Sequence, residues 1–187
     1  AGRMSWNVKY KKRIGFLPDY NDKEIHWAAL GVSTDFDGSI VFDDEEFSVT
    51  RARCFGYMDR LWGEKFATPF FHLSASNFVS IINGKHLEKS CFAVQGLYNG
   101  TLSVLLSIEG MNVEFHAAKG KSYSLSYDCS EMPEDEDGAK LHWSVSVNNR
   151  HYVVDIDVYC PASALFLRDY ECPEGKRELL RVLGGGT

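Results

Sequence analysis

The chain has 187 residues, of which 44% are hydrophobic and 13% aromatic, and its formal net charge is -6. This size and composition predict one well-cored domain over residues 1–187. The negative charge argues against nucleic acid as a partner, because affinity for phosphates comes largely from basic side chains. No apolar run approaches the about 20 residues that a membrane-spanning helix needs, so no transmembrane segment is expected.

The N-terminal region alternates polar and apolar residues with a period of two, which indicates strands. Basic residues between Arg3 and Arg13 are interleaved with Trp6, Val8 and Tyr10, and this pattern predicts an edge strand with one solvated face. The next strands, Ser39 to Phe42 and Phe47 to Met58, flank the acidic turn Asp43 to Glu46. These two strands and the turn between them predict a hairpin.

Two segments then follow in which side-chain chemistry is concentrated. The first, Gly56 to Phe66, reads GYMDRLWGEKF, and the second, Phe70 to Phe78, reads FFHLSASNF. Alternation along a strand places Tyr57 and Asp59 on one face of the first segment. In the second segment the same alternation predicts a cavity-lining face made by Phe70, His72, Ser74, Ser76 and Phe78.

The C-terminal half predicts further antiparallel strands. Alternating runs indicate a meander over Thr101 to Ile108, Asn112 to Ala117 and Tyr123 to Cys129, and a hairpin around Asn148-Asn149. Only Lys176 to Val182 has a helical pattern, so we expect less than roughly a tenth helix. The fold class is therefore all-β, with the strands arranged as a closed barrel or a strongly bent sandwich and one short C-terminal helix.

The cysteines and histidines do not form ligand sets. The five cysteines are widely spaced and lack any C-x-x-C pair, which favours free thiols in a reducing cytoplasm over a disulfide framework or a zinc site. The sequence contains no G-x-S-x-G, no H-E-x-x-H and no Gly-rich phosphate loop after a strand. It therefore implies neither a metal nor another cofactor.

The two chemistry-bearing segments together resemble the core motif of the tocopherol cyclase-like proteins. That motif runs Gly-Tyr, an acid and a Lys, then Trp-Gly and Phe-Pro, followed by W-x-Q-x-N. Asp59 and Arg60 stand in for the acid and the base, and the identical positions are Gly56, Tyr57, Trp62, Gly63 and Phe66. The chain departs from the motif at Ala67, His72, Ser74 and Ser76.

The resemblance implies a lipocalin-like barrel that binds a small apolar ligand, prenylated or polycyclic, with Tyr57 and Trp62 among the ligand-binding residues. Related family members, including carotenoid hydratases, have two such domains and are about twice as long. A second barrel domain outside this sequence, or a homodimer, is therefore an open expectation for the partner.

Three functions remain open at this point. The first is ligand binding without catalysis. The second is a cofactor-independent cyclase or hydratase, in which Asp59 protonates an alkene and His72 assists. The third is a structural or interaction module whose barrel is filled by its own side chains. For Asp59 we expect an ion pair with Arg51 or Arg53 on the same strand face, and Asp59→Asn should then cost more stability than ligand affinity.

Overall fold

The computed structural model describes residues 2–18, 25–63, 70–97, 101–116, 123–171 and 179–185. Strands make up 77% of these residues and helix 2%. In chain order the strands are β1 (Met4–Phe16), β2 (Ile25–Phe42), β3 (Glu45–Val49), β4 (Phe55–Gly63), β5 (Phe70–Val79), β6 (His86–Leu97), β7 (Thr101–Ile108), β8 (Met111–Phe115), β9 (Ser124–Glu131), β10 (Lys140–Asn148), β11 (Val153–Pro161), β12 (Leu165–Glu171) and β13 (Leu179–Gly185). A single 3-10 turn, Ala162–Ala164, precedes β12.

The first sheet is built around β2. This strand of 18 residues pairs with β1 along its length, with β3 near its C-terminal end and with β4 near its N-terminal end. The β2–β3 turn contains Asp43 (φ 45°) and Asp44 (φ 70°). Two successive residues with positive φ match the twist of an antiparallel pair, and Asp tolerates this conformation. The predicted hairpin is confirmed between β2 and β3. The predicted second strand, Phe47 to Met58, is not continuous, because β3 ends at Val49 and β4 begins at Phe55.

The second sheet has the order β5-β6-β7-β8, and it is covered on both faces. The first core lies on the face of this sheet that is turned towards the first sheet, and it consists of Phe16, Trp27, Ala29, Val32, Cys91, Ala93 and Leu105. The second core lies on the opposite face and joins Phe71, Leu73, Phe92, Val94, Leu102 and Val104 to Val145, Val147, Val154 and Ile156. Burial on both faces explains why the run Cys91 to Val94 is continuously apolar.

The third sheet, β9-β10-β11, supplies the outer wall of the second core. Its β10–β11 pairing confirms the hairpin predicted around Asn148-Asn149. All three strands of the predicted meander are present, but only β7 and β8 pair with each other, because β9 pairs with β10 in the third sheet. The antiparallel all-β class is confirmed too. However, the described strands form four separate sheets and do not close into a barrel.

The C-terminal strands form the fourth sheet, in which β12 pairs with β13. The predicted short helix over Lys176 to Val182 is therefore wrong where the structure describes it, because Leu179 to Val182 belong to β13. The pairing with β12 overrides the weak helical pattern of so short a segment. Residues 176–178 lie outside the described residues. Within the described ranges, no helix has the length and apolar character that a membrane crossing requires.

Candidate functional site

The side chains of β4 alternate between the first core and the outer surface of the first sheet. Tyr57 and Leu61 pack against the first core, so Asp59 between them lies on the same face. On β2, Trp27 is the pairing partner of Leu61 and is only 3% exposed. Neighbouring strands thus bring the indole of Trp27 close to the carboxylate of Asp59.

Asp59 accepts two hydrogen bonds at one oxygen. The Nε1–H of Trp27 and the hydroxyl of Tyr57 each donate to Oδ2 of Asp59, both at 3.0 Å. Burial raises the pKa of Tyr57 well above its ordinary value, and the negative charge of Asp59 raises it further. Tyr57 therefore stays protonated and acts as a donor at neutral pH.

His72 joins a second set of hydrogen bonds on the facing strand β5. Its Nδ1 lies 3.2 Å from Oε1 of Gln95, and its Nε2 lies 3.2 Å from Oγ of Ser74. The amide oxygen of Gln95 can only accept, which assigns the proton to Nδ1 and leaves Nε2 to accept from the Ser74 hydroxyl. Burial lowers the pKa of His72, although the charge of Asp59 opposes this effect.

The hydrogen-bonded groups around Asp59 and around His72 are in contact through their aromatic rings. The ring centroids of Tyr57 and His72 are 5.1 Å apart, and those of Trp27 and His72 are 5.8 Å apart in an edge-on arrangement. We call these six residues the polar network, namely Trp27, Tyr57, Asp59, His72, Ser74 and Gln95. The polar network combines the solvent-exposed carboxylate of Asp59 with the imidazole of His72 and two further aromatic side chains, Trp27 and Tyr57.

A cleft of about 610 Å³ lies further along the same strands. Its lining includes Phe55 of β4 and Ser76 of β5, which are two residues from Tyr57 and Ser74 on the same strand faces. On its inner side Nε of Arg13 donates to Oδ2 of Asp35 at 2.8 Å, and Asp35 is buried. The remaining lining residues are Ser33, Arg51, Ala52, Asn77, His86 and Glu88.

Tyr57, Asp59, His72 and Ser74 are thus brought together, whereas Trp62 is not. Trp62 lies on the outer face of β4, where its ring stacks on His26 at 5.4 Å and is covered by the guanidinium of Arg60. Alternation along β4 separates it from Tyr57. The prediction that Trp62 borders the same site as Tyr57 is wrong.

Phe78 is also displaced from the predicted face. The pairing of β5 with β6 shifts between Ser76 and Phe78, and Asn77 between them has a φ of 68°. Such a bulge turns the following side chain to the other face of the sheet. Phe78 accordingly packs against the second core and stacks on Phe92 at 5.9 Å.

The remaining predicted residues are placed as follows. Ser76 lines the cleft, and Phe70 is half-buried opposite Leu97 at the start of β5. Arg51 and Arg53 lie in the turn before β4 and not on the strand. Within the described ranges Asp59 has no arginine partner, so the expected ion pair is not formed.

The sequence analysis missed Trp27 and Gln95. Gln95 is buried and follows four buried apolar residues, Cys91 to Val94, and an amide in that position is itself a signal of a buried polar partner. Trp27 gives no comparable local signal. Its role depends on the pairing of β2 with β4, which connects positions 32 residues apart.

Among the described residues, no group of three or more His, Cys, Asp and Glu side chains could hold a metal ion. Cys54, Cys91 and Cys129 are free thiols. No protein-family model matches the sequence, and no curated protein or solved structure matches it significantly.

Proposed function

We propose that the protein binds a small organic ligand with an apolar body, prenylated or polycyclic, in the cleft beside the polar network. The observation that supports this proposal is that the cleft and the polar network lie next to each other along β4 and β5. A volume of about 610 Å³ lies in the range of small-molecule sites. The motif that resembles the tocopherol cyclase-like proteins supplies two of the network residues, Tyr57 and Asp59.

The cleft offers both apolar and polar contacts. Phe55 is 40% exposed and provides an aromatic wall, with Ala52 beside it. Ser76 and Arg13 provide hydrogen-bond donors in the cleft, and in the adjoining polar network the exposed carboxylate of Asp59 provides an acceptor for a phenol or alcohol. In this proposal the apolar body of the ligand lies against Phe55 and Ala52, and its hydroxyl group meets the polar and charged side chains that make up the rest of the lining.

The test is calorimetric titration of a prenylated phenol into the wild type and two single variants. Phe55→Ser removes the aromatic wall, and we expect the affinity to fall about tenfold. Phe166→Ser is the matched control, since Phe166 is 52% exposed on β12 of the fourth sheet, and it should leave the affinity unchanged. Equal affinities of all three proteins would refute the site, and no binding by the wild type would refute the proposal and favour the interaction-module alternative.

A cyclase or hydratase is the second candidate, and one observation favours it. Asp59 is exposed to a ligand and stands next to the rings of Tyr57 and Trp27, which stabilise an adjacent cation. In such a reaction a protonated Asp59 gives its proton to an alkene carbon. A phenol oxygen then attacks the cation, and the phenol proton returns to Asp59.

Asp59→Asn separates the two candidates, because the amide keeps an acceptor oxygen for Trp27 and Tyr57 but carries no acidic proton. For a binder, the variant retains ligand affinity and loses some stability. For a cyclase, it retains affinity and loses turnover of the prenylated phenol. Product analysis by mass spectrometry after incubation with the wild type checks the second candidate, and the absence of a cyclised or hydrated product rejects it.

A further inference from the structure

The turn between β5 and β6 is held by its own hydrogen bonds. The amide of Ser80 donates to the carbonyl of Lys85 at 2.8 Å, and the amide of Gly84 donates to the carbonyl of Ser80 at 2.7 Å. The side chain of Asn83 accepts from the amide of Lys85 at 3.0 Å. Gly84 has a φ of 68°, which glycine adopts without strain. The turn therefore has a defined shape.

This defined turn directs its largest apolar side chains into solvent. Ile81 is 101% exposed and Ile82 is 92% exposed, and Val79 at the end of β5 is 50% exposed. Exposed apolar side chains are common singly, but two adjacent isoleucines with full exposure on an ordered turn mark an interaction surface. We call residues 79–85 the hairpin tip.

The hairpin tip projects beyond the rest of the second sheet. β7 pairs with β6 from Cys91 onwards and ends at Ile108, so the residues from His86 to Lys89 extend past it. At about 3.3 Å per residue, this extension is roughly 13 Å. Met111, which is 54% exposed, starts β8 at the same end of the sheet. Beyond the end of β7 the tip consists of the β5–β6 hairpin alone.

The charge around the tip differs from that of the whole chain. Residues 78–87 contain Lys85 and no acidic residue, whereas the chain carries 26 acidic and 20 basic residues. Beyond them, Lys89 is offset by Glu88 and by Glu109, which accepts from the amide of Lys89 at 3.1 Å. A lysine without an acidic neighbour beside an apolar tip is complementary to an anionic lipid surface. A stable protein interface, in contrast, buries about 800 Å² on each partner, which two side chains on this tip do not provide.

We propose that the hairpin tip inserts into the interface of a lipid bilayer, with Ile81 and Ile82 among the acyl chains and Lys85 at the headgroups. The cleft shares this hairpin, since Ser76, Asn77, His86 and Glu88 line it. Insertion of the tip thus places the cleft beside the membrane surface, where prenylated and other apolar molecules are concentrated. Membrane docking itself does not depend on the proposed ligand.

Flotation with lipid vesicles tests the proposal. The full chain is mixed with vesicles of phosphatidylcholine alone or of phosphatidylcholine with phosphatidylserine, and the bound fraction is measured at increasing lipid concentration. We expect the wild type to bind, and more strongly with phosphatidylserine. The double variant Ile81→Ser, Ile82→Ser should bind at least about tenfold more weakly. Both side chains are exposed, so its circular dichroism should match that of the wild type.

The control carries the same chemical change elsewhere. Val153→Ser with Leu167→Ser removes two side chains that are 69% and 63% exposed on other sheets, and it should bind vesicles as the wild type does. In addition, the tryptophan of Ile82→Trp should shift its emission to shorter wavelength with vesicles. The proposal is overturned if the wild type does not float with either vesicle type, or if both double variants lose vesicle binding to the same extent. Ligand titration without lipid should give unchanged affinity for Ile81→Ser, Ile82→Ser, which keeps this test separate from that of the cleft.

Discussion

Trp27 illustrates how one buried donor fixes the geometry of the polar network. Its indole N–H lies in a side chain that is 3% exposed, and a buried donor without a partner would cost about 1–3 kcal/mol. Asp59 supplies the acceptor and at the same time holds the hydroxyl of Tyr57. The carboxylate therefore orients two side chains from two strands, which gives this acid in the middle of β4 a structural role without an arginine partner.

His72 should make the stability of the protein depend on pH. Burial lowers its pKa in the folded state, whereas the unfolded chain has the ordinary value of 6.5. As the pH falls below 6.5, His72 becomes protonated in the unfolded chain. In the folded protein, where it faces Tyr57 and Asp59, it stays neutral until the pH is lower. The free energy of unfolding contributed by His72 is fully present above 6.5 and decreases below it, by at most about 1.4 kcal/mol per pH unit.

Urea unfolding from pH 7.5 down to pH 5 checks this expectation, with His72→Gln as the comparison. The glutamine has no titrating ring, so the stability difference between wild type and variant should shrink or reverse as the pH falls. A difference that stays constant over this range would contradict it.

At the scale of elements, the bulge in β5 decides which residues share a face. Asn77 interrupts the pairing between Ser76 and Phe78, and its φ of 68° lies in the left-handed region. Asn tolerates this region, whereas β-branched residues do not. The bulge sends Phe78 into the second core and leaves Ser76 at the cleft. One residue thus separates a packing side chain from a candidate ligand contact.

The effect of substitutions at Asn77 on stability should depend on whether the new residue tolerates a positive φ, and not on its strand propensity. Asn77→Gly should keep or slightly raise the stability, and Asn77→Val should lower it by about 1–2 kcal/mol. Asn7→Val is the control, because Asn7 is an exposed strand residue on β1 without positive φ, and there valine should be neutral or favourable. Thermal unfolding measures all three, and equal effects of valine at both sites would argue against a strained bulge.

At the scale of the whole molecule, the second sheet holds the structure together. Its strands β6 and β7 supply Cys91, Ala93 and Leu105 to the first core and Phe92 and Val94 to the second. In contrast, β1 is exposed on both faces over most of its 13 residues. The molecule therefore combines a doubly covered centre with an open N-terminal arm.

Hydrogen exchange should reflect this difference. Backbone amides from Phe92 to Val94 and from Leu102 to Leu105 should exchange most slowly, because their hydrogen bonds open only when both cores are disrupted. Amides of Trp6 to Lys11 should exchange orders of magnitude faster. Mass spectrometry of peptic peptides gives the comparison, and slower exchange in β1 than in β7 would be inconsistent with the described packing.

Sequence patterns predicted those parts of the fold that depend on local chemistry. Asp43-Asp44 and Asn148-Asn149 marked hairpins, and alternation on β4 and β5 placed Tyr57, Asp59, His72 and Ser74 on facing surfaces. Distant pairing determined the rest. Trp27 contacts Asp59 because of the register in which β2 pairs with β4. Leu179 to Val182 form a strand because they pair with β12. Phe78 lies on the other face of β5 because of the bulge at Asn77, whose positive φ the sequence does not reveal.

The division of the interior by the second sheet has an evolutionary consequence. Residues of the polar network border the first core, while most large apolar side chains belong to the second. Substitutions at positions 72, 74 and 76 alter the side-chain chemistry of the β5 face that borders the first core and leave the packing of the second core intact. This face can therefore diverge in sequence while the scaffold persists.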